Sequence, residues 1–329
     1  MIWRRVLGSV AFLTLASACF DPKIPTCLSC PTGECPSGQQ CVQGRCTARG
    51  ETCASETPET CADGRCCIGD ACLDASGSAA PLLWLDWTSL RPSDAPSGTP
   101  LELWFDRSGF EHHAAPFGNT PVIGPSTESP TRVLRMPAGN EALLAAQPLD
   151  SRLRQLGSRD ILVLVAASLS CNVTQDDYCF AVKWGEPYAN SGLGLRGFQL
   201  RAISRDEATA VFRGDTTWSA RTSGLGLGCE QFHLFGLRRV LGASRLELRL
   251  DGRVVAETDI PADADGSTAP TPYSLGGFGP CETFQGEMAA SVVVDAALTD
   301  QQTCELERFL LTQLSDAGLV ASGAVPECP

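Results

Sequence analysis

From Pro81 onward, apolar and polar positions follow the two-residue period of β-strands. Leu82-Leu83-Trp84-Leu85-Asp86-Trp87 is a compact apolar strand, and Leu101-Glu102-Leu103-Trp104-Phe105 is another. Asp160 to Ala166 is continuous and rich in β-branched residues, the pattern of a strand buried on both faces. Phe198–Ile203 and Thr209–Arg213 alternate less sharply, and Phe232–Val240 adds a further strand. The clearest alternation is Arg245-Leu246-Glu247-Leu248-Arg249-Leu250. There the leucines share one face and the charges the other. Asp251-Gly252 then forms a two-residue hairpin turn into Arg253–Glu257, because glycine accepts positive φ. Glu287–Val294 supplies a late strand. The period changes once, over Thr299–Leu314: Thr299 is an N-cap, and Leu306, Phe309, Leu310 and Leu314 form a helical stripe. Many strands joined by Gly/Pro turns, with one terminal helix, predict an all-β protein, a two-sheet antiparallel sandwich. No helices alternate with the strands, which excludes a parallel α/β sheet.

The first residues follow a different pattern. Arg4 and Arg5 precede an apolar run from Val6 to Leu15, then Ala16-Ser17-Ala18, a small-residue cleavage site. The run is about half of the roughly 20 residues that span a bilayer, so residues 1–18 read as an export signal. Leu15-Ala16-Ser17-Ala18-Cys19 resembles a bacterial lipobox, which makes Cys19 a candidate lipidated first residue. The other route is ordinary signal-peptidase cleavage and a secreted chain with a spare thiol. Parity favours the lipid: of 17 cysteines, removing Cys19 leaves 16, which can all pair. The expected location is the outer membrane or cell surface, held by an N-terminal lipid, with plain secretion as the alternative.

Cysteine density divides the remainder. Cys27, Cys30, Cys35, Cys41, Cys46, Cys53, Cys61, Cys66, Cys67 and Cys72 crowd into a stretch almost without apolar residues. Such a stretch cannot build a core and depends on disulfides at about 2–4 kcal/mol each. Cys35–Cys46 and Cys61–Cys72 look like variants of one unit, a glycine turn between close cysteines. Zinc is the rival at Cys27-x-x-Cys30, but the stretch holds no histidine and the chain is exported. A redox role fails for want of a βαβ pattern. Residues 19–80 therefore read as lipid anchor, disulfide-rich segment and the linker Asp74–Ala80; residues 81–320 as the sandwich; and 321–329 as a tail. In the sandwich, Cys171 with Cys179 reads as a loop staple, Cys304 with Cys328 as a tie on the C-terminus, and Cys229 with Cys281 as the remaining pair.

Three segments resemble the LamG-like, concanavalin A-like jelly-roll family, in the family's order. Trp104-Phe105-Asp106-Arg107-Ser108-Gly109, followed by His113-Ala114, is similar to an early motif of that family. Phe232-His233-Leu234-Phe235 with Leu248-Arg249-Leu250-Asp251-Gly252 resembles its aromatic-His strand and hairpin. Phe284-Gln285-Gly286, running to Asp295 and Thr299-Asp300, resembles the closing strand and last helix. The resemblance implies a jelly roll over residues 82–314. It implies no single activity, because such domains bind glycans and proteins and accompany hydrolases.

Composition narrows the partners. Net charge is −13, with 38 acidic and 25 basic residues, and removing Arg4 and Arg5 takes it to about −15, which argues against a nucleic-acid partner. Arginine far outnumbers lysine, which reflects genome composition more than a binding role. No G-x-S-x-G, H-E-x-x-H or P-loop occurs. Gly192-x-Gly194-x-x-Gly197 runs into a strand, so it reads as a turn. The spaced strand acids of jelly-roll glycosidases are missing, since Asp176-Asp177 and Asp206-Glu207 are adjacent and point to opposite faces of a strand. His112 and His113 point apart if extended, and His233 stands where the family keeps a structural histidine. Cofactors are not implied; calcium is the candidate ion, at Asp259, Asp263 and Asp265, whose stretch also reads as an ordinary polar loop. The sequon at Asn172 reads as chance in a bacterial export context.

For ligand binding, Trp184 with Tyr188 and Asn190, and Trp218, lie near turns and could form an aromatic rim, with burial the competing reading for Trp184 and Trp218, while Trp84, Trp87 and Trp104 read as core. The sequence thus supports a noncatalytic cell-envelope lipoprotein whose sandwich binds a glycan or an extracellular protein. The alternatives are an extracellular carbohydrate-active enzyme with an unrecognised carboxylate pair, and a purely structural envelope protein.

Overall fold

The computed structural model describes residues 28–29, 39–42, 45–48, 66–68, 71–73, 81–92, 96–108, 110, 112–136, 141–145, 153, 156–171, 178–184, 196–266, 273–277, 284–321 and 327–328. The chain packs as two units, Met1–Glu56 and Thr57–Pro329. In the first, β1 (Leu28–Ser29), β2 (Gln39–Val42) and β3 (Arg45–Ala48) form a small antiparallel sheet in the order β1-β3-β2. In the second, β4 (Cys66–Ile68) and β5 (Ala71–Leu73) form a hairpin. The two cysteine units recognised in the sequence share this geometry: Cys41 faces Cys46 across one hairpin and Cys67 faces Cys72 across the other.

The remaining strands are β6 (Pro81–Asp86), β7 (Leu90–Arg91), β8 (Thr99–Pro100), β9 (Leu103–Trp104), β10 (Ala114–Gly118), β11 (Val122–Pro125), β12 (Arg132–Met136), β13 (Glu141–Ala145) and β14 (Ile161–Leu169). They continue as β15 (Tyr178–Trp184), β16 (Gly197–Ser204), β17 (Glu207–Arg213), β18 (Thr217–Ser223), β19 (Phe232–Val240), β20 (Arg245–Leu250), β21 (Arg253–Asp259), β22 (Ser274–Leu275) and β23 (Gly286–Val294). They make an antiparallel two-sheet sandwich. The first sheet runs β18-β17-β16-β15-β22-β13-β10-β9-β7, and the second runs β21-β20-β19-β14-β23-β12-β11-β8, with β6 added on β23.

One helix, α1 (Asp300–Asp316), follows Thr299, whose side chain accepts from the backbone of Gln302 while the Gln302 side chain accepts in return from the Thr299 N–H. This capping box satisfies two otherwise orphaned donors. Thr299→Ala is expected to destabilise the protein by about 1 kcal/mol, read by urea unfolding, whereas Thr299→Ser leaves it near wild type.

The helix explains why β14 is apolar throughout. Ile161, Val163, Val165 and Ala167 belong to the core between the sheets, and Leu162, Leu164 and Ala166 belong to a second core, which also contains Leu306, Leu310, Leu311 and Leu314 of α1. The second sheet is therefore covered on both faces. Phe309 meets Trp84 edge-on, with ring centroids 6.0 Å apart, and both pack against this outer core.

The covering helix also buries charge. On the charged face of β20, Glu247 is fully buried and Arg249 is 6% exposed. Arg249 donates from Nε and Nη2 to the two carboxylate oxygens of Glu307 on α1, at 2.7 and 2.8 Å, and from Nη1 to Glu247 at 2.7 Å. Arg238 bridges Asp300 at 2.5 Å and donates to the Leu298 carbonyl at 2.6 Å. Arg245 reaches Glu247 at 2.5 Å.

The disulfides bring a correction. Cys171 pairs with Cys229, not with Cys179, and Cys229 is thereby unavailable to Cys281. The reason is topological: β14 and β19 are neighbours, so the residue after β14 meets the residues before β19, and Glu230 N–H donates to Leu169 O beside the bridge. Cys179 is disulfide-bonded as well, to a partner outside the described residues. Cys304 pairs with Cys328, tying the start of α1 to the C-terminus.

Candidate functional site

The two sheets differ in what lies on their outer faces. The second carries α1, whereas no described helix packs on the first. Alternation fixes which side chains look outward there. Phe198, Leu200 and Ala202 of β16, Ala208, Ala210 and Phe212 of β17, and Ala220 of β18 enter the core between the sheets. The residues between them face the other way.

Register then arranges these outward positions in rows. Val182, Gln199, Val211 and Ser219 form one row across β15 to β18. Cys179, Arg201, Thr209 and Arg221 form the next, and Trp184, Gly197, Arg213 and Thr217 a third. Gln199, Thr209 and Val211 are buried, Arg201 and Arg213 half-buried, and Ser219 and Arg221 exposed. The result is a face whose central positions, Gln199, Thr209 and Val211, are buried, with exposure rising toward β18. Arg221 pairs with Glu207 on the same face, and Arg196 with Asp215 at its end.

Of the residues nominated from the sequence, Trp184 holds a position on this face by register, opposite Gly197. Tyr188 and Asn190 lie outside the described residues. Trp218 takes the buried alternative: it pairs in register with Phe212 and turns to the inner side, half-buried against the core, with ring centroids 6.5 Å apart. Closeness to a turn suggested a rim, but strand parity decides the face.

The loop after β21 is also corrected. Asp259, Asp263 and Asp265 do not gather, and no group of three metal-ligating side chains exists among the described residues. The cation serving this loop is the side chain of Arg239. Its guanidinium donates to the Gly157 carbonyl at 2.6 Å, to Ala262 O at 3.5 Å and to Ala264 O. It also lies 4.5 Å over the Phe212 ring. Burial pushes this guanidinium below its ordinary value, and the charges of Asp160 and Asp265 pull it back.

The motifs that carry the jelly-roll resemblance prove to be structural knots. Asp106 is buried, and its carboxylate accepts from Trp84 N at 2.8 Å, Ser108 N at 2.9 Å, Ser108 Oγ at 2.7 Å and His112 N at 2.9 Å. His112 Nδ1 contacts the Leu82 carbonyl at 2.7 Å, and His113 Nδ1 accepts from Asp106 N at 3.1 Å. His233 Nδ1 lies 2.8 Å from Asp251 Oδ2, while Asp251 Oδ1 accepts from Leu234 N at 2.8 Å. Asp251 and Gly252 both have positive φ, 47° and 78°, as the tight turn requires. The histidine strand and the Asp-Gly hairpin are thus one unit. Gly192 and Gly194 lie outside the described residues, and Gly197 opens β16.

No model of a known protein family matches the chain, and no curated protein matches it. Solved structures do share its fold. The binding domain of botulinum neurotoxin DC, solved in complex with rat synaptotagmin II, aligns with a TM-score of 0.50 at 8% identity, over 70% of this chain and 52% of that one. A mutant of HCR/D aligns with a TM-score of 0.50 at 10% identity, over 70% and 52%. The chain thus spans about half the length of these two structures. Domain 4 of AbnA, an extracellular arabinanase from Geobacillus stearothermophilus, in complex with arabinotriose, aligns with a TM-score of 0.48 at 12% identity, over 70% and 99%.

Proposed function

We propose that the chain is a noncatalytic binding protein of the cell envelope, exported by residues 1–18 and lipid-anchored at Cys19. Its sandwich takes a glycan on the outer face of the first sheet. The observation that carries this reading is a sheet face that bears no described helix and on which strand register mixes polar and apolar positions, Gln199, Thr209, Val211 and the exposed Ser219. Sugar recognition uses this combination of flat apolar surface and fixed hydrogen-bonding groups. On the described rows of this face Glu207 is the lone carboxylate, and Arg221 engages it. That supports binding over hydrolysis, which takes two carboxyl groups about 5–9.5 Å apart.

The mature protein on a glycan array is expected to retain a defined set of oligosaccharides. Ser219→Trp places a large ring at an exposed position of this face, and it is expected to lower affinity by about tenfold or more at unchanged Tm. Retention of no glycan overturns the reading, and release of reducing sugar overturns its noncatalytic part. A protein partner is the second reading, supported by the toxin domain of the same fold that was solved with a protein bound. An unmodified N-terminus at Cys19, found by mass spectrometry of the membrane fraction, would defeat the lipid anchor.

A further inference from the structure

Sheet edges carry unpaired backbone donors and acceptors, and folded proteins blunt them. Among the described residues, β7 and β8 end their sheets with two residues each. The free side of β6 is covered by the 106–108 segment, where Arg107 N–H donates to Trp84 O at 2.7 Å and Ser108 Oγ to Leu82 O at 3.2 Å. β21 is interrupted by a register shift opposite Leu248 and Arg249, and it exposes Arg253, Glu257 and Asp259. β18 has none of these devices. It runs seven residues, Thr217–Ser223, in unbroken register with β17, without proline or lysine, and no described strand pairs with its other side.

Strand geometry fixes which groups the open side offers. The Ala220 carbonyl accepts from Thr209 Oγ1 of β17 at 3.2 Å, so it points toward β17. In an antiparallel ladder the N–H and C=O of one residue point the same way, and the direction alternates along the strand. Trp218, Ala220 and Thr222 therefore bond β17, while Thr217, Ser219, Arg221 and Ser223 turn their backbone groups to the open edge. All four of these residues are exposed. That row fits itself. We propose that β18 pairs antiparallel with β18 of a second copy of the chain, about a two-fold axis at Ala220.

About this axis Ser219 faces the partner's Arg221 and Thr217 faces the partner's Ser223, so outward groups meet outward groups. Both directions together give about eight backbone hydrogen bonds. Ala220 meets the partner's Ala220 on the axis as a non-hydrogen-bonded pair, where side chains stand closest and a methyl group fits. Charge agrees with this register. Arg221, the one charged residue of the strand, meets a serine rather than itself, and Glu207 of its own chain already pairs with it. The contact is isologous and closes at two copies, so it does not propagate into a fibre. Because the axis stands normal to the sheet, both copies turn the outer face of the first sheet to the same side. The pairing does not depend on the glycan reading, but it sets two such faces side by side and raises avidity for a long ligand.

Sedimentation equilibrium of the mature protein carrying Cys19→Ser, which removes the lipid site, tests the pairing. A monomer–dimer equilibrium is expected with a Kd on the order of 1–100 μM, because one strand pair falls below the area of a standard interface. Ser219→Pro removes an outward N–H without touching the β17 ladder, and a proline whose nitrogen faces the open edge is tolerated. It is expected to weaken the dimer by about tenfold or more, at unchanged Tm of the dilute protein. Charge at the same position reads the register. Ser219→Lys sets a like charge opposite the partner's Arg221 and is expected to weaken the dimer, whereas Ser219→Glu sets an opposite charge there and is expected to tighten it. A monomer at every concentration up to about 200 μM overturns the inference. So does a dimer that none of the three variants alters, an equal shift by Ser219→Lys and Ser219→Glu, or growth beyond two copies.

Discussion

Glu307→Ala is expected to destabilise the sandwich by about 3–5 kcal/mol, because it strands a buried guanidinium. Glu307 is 1% exposed on α1 and accepts both outer donors of Arg249, which is itself 6% exposed on β20. Burial alone would push the Arg249 guanidinium down; the hydrogen bonds and charges of Glu307 and Glu247 more than reverse that and hold it above its ordinary value. Removing Glu307 leaves Arg249 with Glu247 alone, and Glu247 already serves Arg245 and Arg238. The decisive comparison is Arg249→Leu with Glu307→Leu together. A buried ion pair gains little over an apolar pair of similar volume, so the double variant is expected to be more stable than either single one. Urea unfolding of the four proteins gives the coupling energy directly. If Glu307→Ala loses less than about 1 kcal/mol, the network does not hold α1 to the sheet.

This network also marks where sequence pattern ceases to suffice. The alternation over Arg245–Leu250 correctly separates its two faces, since Leu246 and Leu248 enter the core. Alternation states which residues share a face and says nothing about what covers it. A signal did exist: Glu307 stands beside Leu306 and four residues before Leu311 on α1, a carboxylate inside an apolar stripe. Its counterpart is the charged face of β20. By contrast β14 was legible outright, because a strand apolar at every position has no face left for water, and two cores indeed receive it.

The candidate site was legible only in part. Its strands β16 and β17 alternate weakly in sequence because the outer face mixes Gln199, Thr209 and Val211 with arginines, so neither face looks wholly polar. Trp218 stands beside a turn in the sequence, which leaves rim and core both open to it, and its register with Phe212 turns it inward. Arginine exceeds lysine through the whole chain, so composition singles out no surface, and only the strand register collects Arg201, Arg213 and Arg221 on one face.

Arg239→Ala is the second large effect expected, a loss of about 3–5 kcal/mol, combining a cavity with the loss of the guanidinium's hydrogen bonds to two loops. Arg239 is 1% exposed and enters the space between the sheets, stacked on Phe212. From there its fork reaches Gly157 O on one loop and Ala262 O and Ala264 O on another. Gly266 N–H also donates to Gly157 O at 3.0 Å, and a Cβ at Gly266 would stand 2.9 Å from the Phe212 ring. One arginine thus closes this corner of the sandwich, where the sequence suggested a calcium ion. Arg239→Lys keeps the charge but replaces the planar fork by a point donor, so an intermediate loss is expected. Urea unfolding measures both variants, and limited proteolysis within residues 259–266 is expected to quicken in the same order. Millimolar calcium is expected to leave the Tm of the wild type unchanged, because the carbonyls that would ligate it already accept from a buried cation. A calcium-dependent rise in Tm that survives in Arg239→Ala but is lost on substituting Asp263 and Asp265 would return the loop to an ion-binding role and overturn this assignment.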